Sequence, residues 1–337
     1  MNSLVVQFAL SASAVVISGI LLTKFADSIA EQTKLGKAIV GSIILAGGTS
    51  LPELLVDVNA IKAHMPDLAV GDLLGSSLFN LLILSLADLL HSNPRRLLAR
   101  TDIVHSISAS LTILVTGIAA ISLFTRNFGG DISLLGIGLG PMVIVVAYVF
   151  GLRLISRNQD LSAPIFDAGH EPKNTGSLKK SIIGYIFSAG IIFIASPFLA
   201  ESAGQIAEVS GLGKTFIGTI LVAFCTSLPE FVSTLTAVRM GANDLALGNI
   251  FGSNAFNMLL FVPLDFFHPG LLLSDVAQVH TFSALAVMVI TSIFVLGQLN
   301  QIEKERKRFE FDAICNIVLI FIYFGLLYFL RSENFET

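Results

Sequence analysis

Ten runs of predominantly apolar residues follow one another along the chain, at about 4–23, 36–62, 67–90, 102–124, 131–152, 180–200, 213–239, 244–267, 274–297 and 311–330. Each reaches the ~20 residues that an α-helix needs to cross the hydrocarbon of a bilayer, which predicts ten spanning helices. Short polar stretches such as Asn93-Pro94-Arg95-Arg96 and Arg126–Asp131 separate them. The longest connector, residues 153–179, mixes Asn, Pro, Gly and both charges and divides two sets of five spans, 1–152 and 180–330. It is too short to hold a regulatory domain. The first run begins at Leu4 with no basic residue ahead of it, which fits a spanning helix better than a cleaved signal peptide.

Composition agrees with life in lipid. The chain is 54% hydrophobic and only 13% charged, against about a quarter charged in soluble domains. Its net charge of -4 is spread over many loops and leaves no basic footprint for nucleic acid, so none is expected as a partner. Cys225 and Cys315 fall inside apolar runs and read as small buried residues, not as a disulfide or a metal pair.

The polar residues inside the runs are written twice. Ala46-Gly-Gly-Thr-Ser-Leu-Pro-Glu53, continuing to Gly75-Ser-Ser-Leu-Phe-Asn80, recurs as Ala223-Phe-Cys-Thr-Ser-Leu-Pro-Glu230, continuing to Gly252-Ser-Asn-Ala-Phe-Asn257. The offset is 177 without a gap, and 16 of the 39 positions from Ala46 to Leu84 are identical to their counterparts. Leu35-Gly36-Lys37 and Asp67-Leu-Ala69 have partners at the same offset in Leu212-Gly213-Lys214 and Asp244-Leu-Ala246.

Lysine and arginine set the orientation. Sixteen lie on the side reached after spans 1, 3, 5, 7 and 9, and four, Lys62, Arg126, Lys214 and Arg331, lie on the other. The basic side is cytoplasmic by the positive-inside rule, which places both termini outside the cytoplasm. Five spans per half then make the second half enter the membrane upside down relative to the first. The expected fold is all-α and integral to the membrane, ten helices as two inverted five-helix repeats, with a site at the midplane where they meet.

Helical spacing puts Ala46, Thr49, Ser50, Glu53 and Asp57 on one face of span 2, and Ala223, Thr226, Ser227, Glu230 and Thr234 on one face of span 7. Asp72, Ser76 and Asn80 in span 3 are answered by Asn249, Ser253 and Asn257 in span 8. Pro52 and Pro229 each remove a backbone donor and free carbonyls in the turn before them. Carbonyls, hydroxyls, amides and two carboxylates form an all-oxygen set, which suits hard cations such as Na+ and Ca2+; softer metals would call for His or Cys. Single Ser, Thr or Asn residues in a span usually serve helix packing, and Gly71, Gly75, Gly248 and Gly252 fit close helix approach. Two mid-span glutamates are different, because an ionisable group at that depth is a functional candidate by default. His105 and His280, in spans 4 and 9, read as packing residues rather than ligands.

These motifs resemble the cation/calcium exchangers, a family that includes the sodium/calcium exchangers and carries Gly-Thr-Ser-x-Pro-Glu followed by Gly-Ser-x-x-Phe-Asn in each of two alpha repeats. The resemblance covers the arrangement of all ten spans. It implies that Glu53 and Glu230 bridge Ca2+, with the backbone carbonyls of Thr49 and Thr226 completing its shell. It implies sodium sites that draw on the same glutamates, on Ser50, Ser227, Ser76 and Ser253, and on the carbonyls of Ala46 and Ala223, with Asn80 and Asn257 beside the centre. Two positions depart from the pattern: Cys225 stands where the second repeat normally has Gly, and Asp72 stands where Asn is common. Relatives that include potassium-dependent exchangers carry Asp at the place of Asn257, so its absence argues against potassium co-transport.

The expected function is therefore an antiporter exchanging Ca2+ for Na+, with the ions as substrates, no cofactor and no enzymatic chemistry. Two carboxylates balance one Ca2+, and an empty pair would have to take protons, sodium or calcium in turn, which is the physical basis of exchange. A calcium/proton antiporter of the same fold is the near alternative. A cation channel fits less well, since one chain with an inverted pair favours alternating access over a pore repeated by oligomerisation. An intramembrane hydrolase lacks a His or Lys near Ser50 or Ser227. One chain carries both repeats, so a monomer suffices, and the compact chain suggests a prokaryotic inner membrane. Asp57 and Asp72, whose counterparts Thr234 and Asn249 are neutral, are expected to form an acidic outer vestibule, or else a solvated helix end and a helix cap.

Overall fold

The computed structural model describes residues 2–33, 35–90, 103–125, 133–134, 136–158, 177–209, 224–300 and 311–333. Thirteen helices carry the fold there. In chain order they are α1 (Asn2–Gln32), α2 (Lys37–Ile39), α3 (Ala46–Lys62), α4 (Pro66–Leu90), α5 (Ile103–Thr125), α6 (Leu139–Asn158), α7 (Leu178–Val209), α8 (Leu228–Arg239), α9 (Asn243–Leu259), α10 (Phe261–Phe267), α11 (Leu272–Asp275), α12 (Val279–Asn300) and α13 (Phe311–Glu333). A π-helical stretch, Val40–Leu45, joins α2 to α3. Among the described residues eight helices are long and apolar enough to cross a membrane, and Ala313–Leu326 is a shorter apolar one. Of the predicted seventh span, residues 213–223 lie outside the described residues, as do the loops at Asn93–Arg96 and Arg126–Asp131 and most of the connector 153–179.

Several boundaries differ from the sequence expectation for local reasons. The predicted fifth span opens instead with a two-residue antiparallel ribbon, β1 (Ser133–Leu134) against β2 (Ile137–Gly138), turning at Gly136 with φ +81°, a conformation that suits glycine. The helix starts only at Leu139. The eighth breaks at Leu260, because Pro263 has no N–H to bond back to the Leu259 carbonyl. The ninth begins at Val279 rather than 274, with α11 as a separate turn ahead of it. Asp265 ties these pieces together. Its carboxylate accepts the Gly138 N–H through Oδ2 and the Leu272 N–H, at 2.7 Å, through Oδ1.

Helices α3, α4, α8 and α9 all touch one another and form the centre. The close fit of α9 against the π-helical stretch depends on glycine. A side chain on Gly248 would come 2.7 Å from the Ala38 carbonyl, and one on Gly252 would meet the backbone of Ser42 at 2.5 Å. Gly75, the counterpart of Gly252, has no neighbour within 4 Å of a Cβ among the described residues. Helices α5, α6, α12 and α13 pack around one part of this centre, while α1 and α7 lie along each other and against α8 and α3. The outward faces are apolar, with Val146, Ile186 and Phe187 exposed as lipid-facing side chains would be. Near one end, Lys37 pairs with Asp27 at 2.8 Å and with Glu31 at 3.5 Å.

Candidate functional site

The two copies of the Thr-Ser-x-Pro-Glu segment adopt different backbones. In the first, Thr49, Ser50 and Glu53 lie within continuous α3, and Pro52 sits inside the helix and deprives the Gly48 carbonyl of its donor. In the second, the helix breaks at Ser227, which has φ -84° and ψ 6°, and α8 starts at Leu228 with Pro229 in its first turn. The same motif is therefore a kinked helix on one side and a helix start on the other. Upstream of Thr49, the Tyr185 hydroxyl of α7 donates to the Ile44 carbonyl, a contact with no sequence signal.

Both glutamates are buried, Glu53 at 1% exposure and Glu230 at 0%. Ser50 Oγ donates to Glu230 Oε1 at 3.2 Å, so side chains from the two copies of the motif meet. Among the described residues, Glu53 Oε1 and Oε2 and Glu230 Oε2 have no hydrogen-bond donor. Glu53 lies close enough to Glu230 and Asp72 to feel their charges. Among the described residues no Lys, Arg or His pairs with either glutamate.

Around them the repeats answer each other. Thr49 Oγ1 donates to Asn249 Oδ1 at 3.4 Å, and its counterpart Thr226 donates to Asp72 Oδ1 at 3.3 Å. Thr49 also meets Ser253 Oγ at 3.4 Å and the Ala46 carbonyl at 3.1 Å. Asn80 Nδ2 donates to Asn254 Oδ1 at 2.9 Å. Ser76, Ser227 and Asn257 are buried, with Ser76 Oγ, Ser227 Oγ and both Asn257 amide atoms lacking partners. No hydrogen bond joins those three to the glutamates. Ala223 lies outside the described residues.

Asn254 is a bridging residue that the sequence reading quoted within its motif but did not single out. Its signal is that the first repeat has Ser77 there. His105 and His280 behave as the packing residues expected of them: His105 Nε2 meets Asp244 Oδ1 and His280 Nε2 meets Asp67 Oδ1, both at 3.0 Å. Asp67 and Asp244 are themselves counterparts at the offset of 177. Asp57 is fully buried within α3, so it reaches neither a solvated vestibule nor a solvated helix end. Asp72 is half-buried and lies seven residues into α4, well past the cap position.

Chemically, this is a buried set of oxygen atoms with more acceptors than donors. Leaving so many unpaired costs energy unless something positive sits among them. Among the described residues no group of three or more His, Cys, Asp or Glu side chains is placed to hold a metal. A cation here would lean on hydroxyl, amide and carbonyl oxygens beside the two carboxylates, the donor set of a hard cation.

Comparison with known proteins identifies the family. The chain is 29% identical to inner membrane protein YrbG of Escherichia coli, covering 76% of this chain and 79% of that one. It is 27% identical to sodium/calcium exchanger MaX1 of Methanosarcina acetivorans, covering 90% and 91%. Its fold matches a solved structure of the sodium-calcium exchanger NCX_Mj with a TM-score of 0.71 over 96% of this chain and 99% of that one, at 22% identity. The family model described as sodium/calcium exchanger protein matches residues 3–157 and 180–333, and the chain, an integral membrane protein, belongs to that family.

Proposed function

We infer that this protein is a secondary active antiporter that exchanges Ca2+ for Na+ by alternating access at a midplane site formed by Glu53 and Glu230. One observation carries this reading: three buried glutamate oxygens, contributed by opposite halves of the chain, have neither a hydrogen-bond donor nor a basic partner among the described residues. Such a pair needs a mobile positive charge, and a divalent cation neutralises it in one step. Thr49, Thr226, Ser50, Ser227, Ser76, Ser253, Asn80 and Asn257, with the carbonyls of Ala46 and Ala223, supply the remaining oxygens in this scheme. The names of the relatives, a sodium/calcium exchanger and a vacuolar calcium ion transporter among them, support transport rather than enzymatic chemistry.

The same reading holds the chain as ten spans in two inverted repeats, 1–152 and 180–330, with both termini outside the cytoplasm of a prokaryotic inner membrane. Duplicated contacts support the inverted pair: Thr49–Asn249 against Thr226–Asp72, and His280–Asp67 against His105–Asp244. Helices α1 and α7, paired along their length and without a mid-span acid, slide across the central four helices to expose the site to each side in turn.

The test is uptake of radioactive Ca2+ into proteoliposomes preloaded with Na+, with K+, or holding only a proton gradient. Uptake driven by the sodium gradient, and lost in Glu53→Gln and in Glu230→Gln, is expected. Uptake driven by protons alone would move the protein to calcium/proton exchange at the same residues. Wild-type flux in both variants would sink the glutamate site.

A further inference from the structure

The first repeat carries a feature with no equivalent in the second. Positions 57 and 72 correspond to 234 and 249. In the second repeat this pair is neutral and internally satisfied, with Asn249 Nδ2 donating to Thr234 Oγ1 at 3.1 Å and Asn249 Oδ1 accepting from Thr49. In the first repeat the same two places hold Asp57 and Asp72. Asp57 is 0% exposed, and among the described residues neither of its oxygens has a partner; Asp72 keeps one oxygen for Thr226 Oγ1 and leaves Oδ2 buried without one there. The counterparts of these two places touch each other in the second repeat, and no basic side chain pairs with Asp57 or Asp72 among the described residues.

Charge balance makes the consequence concrete. Four carboxylates, Glu53 and Asp57 on α3, Asp72 on α4 and Glu230 on α8, lie on the central helices without a Lys or Arg partner among the described residues. One Ca2+ between the glutamates neutralises two of them. The two aspartates remain, and desolvation disfavours leaving them as an uncompensated pair of charges. Their three donor-free oxygens are of the kind a hard cation selects.

We propose that Asp57 and Asp72 form a second binding site for a hard divalent cation, present only in the first repeat and separate from the Glu53–Glu230 position. Thr226, which donates to Asp72 and lies four residues before Glu230, links the two places. The aspartate site is a waiting position one step from the glutamates, on the α3–α4 side.

The fold itself supplies a safe variant. Asp57→Thr with Asp72→Asn rewrites the first repeat's pair as the second repeat's, whose hydrogen-bonded form this scaffold already accommodates. Equilibrium binding of radioactive Ca2+ to the purified full chain in Na+-free detergent solution counts ions per protein. Two per wild-type chain and one per Asp57→Thr/Asp72→Asn chain are expected, with Glu53→Gln/Glu230→Gln also falling to one by losing the other site. An equal count in wild type and the aspartate variant would overturn the proposal and leave the pair to protons. If the double variant does not fold, Asp57→Asn alone serves, and must still lose the second ion. The count is read without transport, so it stands or falls apart from the exchange reaction.

Discussion

Ser77 and Asn254 occupy the same place in the two copies of the motif, and they touch: the Asn254 amide donates to the Ser77 carbonyl at 3.1 Å. A residue can meet its own counterpart only at the axis that relates the halves, so this contact marks where the repeats turn about each other. Asn254 uses its other amide atom to accept from Asn80. One side chain of α9 thereby fixes two points of α4.

Asn254→Leu is expected to lower stability by about 1–3 kcal/mol, since the Asn80 amide and the Ser77 carbonyl lose a partner where no water can replace it. A thermal melt in detergent checks this. An unchanged melting temperature would mean that the seam is held by packing alone.

Asp265→Ala should cost about 3 kcal/mol, because one carboxylate holds the backbone N–H groups of both Gly138 and Leu272. Limited proteolysis should then cut near the ribbon at residues 133–138 sooner than in wild type. Equal cleavage rates would show that Asp265 is not what anchors it.

Gly252→Val forces a side chain into the Ser42 backbone, which cannot rotate away as a side chain would. Loss of the monodisperse folded peak in size-exclusion chromatography is expected.

Ser50→Ala and Ser227→Ala should differ although the motif is duplicated. Ser50 Oγ donates to Glu230, whereas Ser227 Oγ has no partner. Removing the Ser50 hydroxyl is expected to weaken Ca2+ binding roughly tenfold, the worth of a hydrogen bond to a charged group. Equal losses in a calorimetric titration would show that the asymmetry does not persist in the ion-bound protein.

Orientation has its own check. In a Cys225→Ala/Cys315→Ala background, Met65→Cys should react with a membrane-impermeant maleimide from outside intact cells, and Arg157→Cys only after permeabilisation. The reverse pattern would invert the topology.

The all-helical, membrane-embedded character of the chain is legible in the sequence because lipid punishes any unpaired backbone and leaves long apolar runs as its imprint. Duplication picks out Ser50 and Glu230, and the structure joins these two by a hydrogen bond. What was hidden depends on backbone geometry that identical residues do not determine. Thr-Ser-Leu-Pro-Glu is continuous helix at Ser50 and a break at Ser227. The ribbon before Leu139 was hidden for a related reason, since its residues are as apolar as a span and only Gly136 marks the turn. Asp57 was read as reaching the outer solution because its position along span 2 gives depth but not what covers it; α3 buries it completely.

The lengths of α1 and α7 carry a consequence for the membrane itself. At 31 and 32 residues, with about 1.5 Å of rise each, they are about 47 Å long against a hydrocarbon core of about 30 Å. Both tilt or protrude, and their outward faces are coated with acyl chains rather than protein. Under the proposed sliding, every turnover drags that excess apolar length across the bilayer boundary, at a mismatch cost of fractions of a kcal/mol per ångström. The lipid is then part of the barrier to turnover, and bilayer thickness becomes a control on how fast the protein works while leaving its affinity for ions untouched.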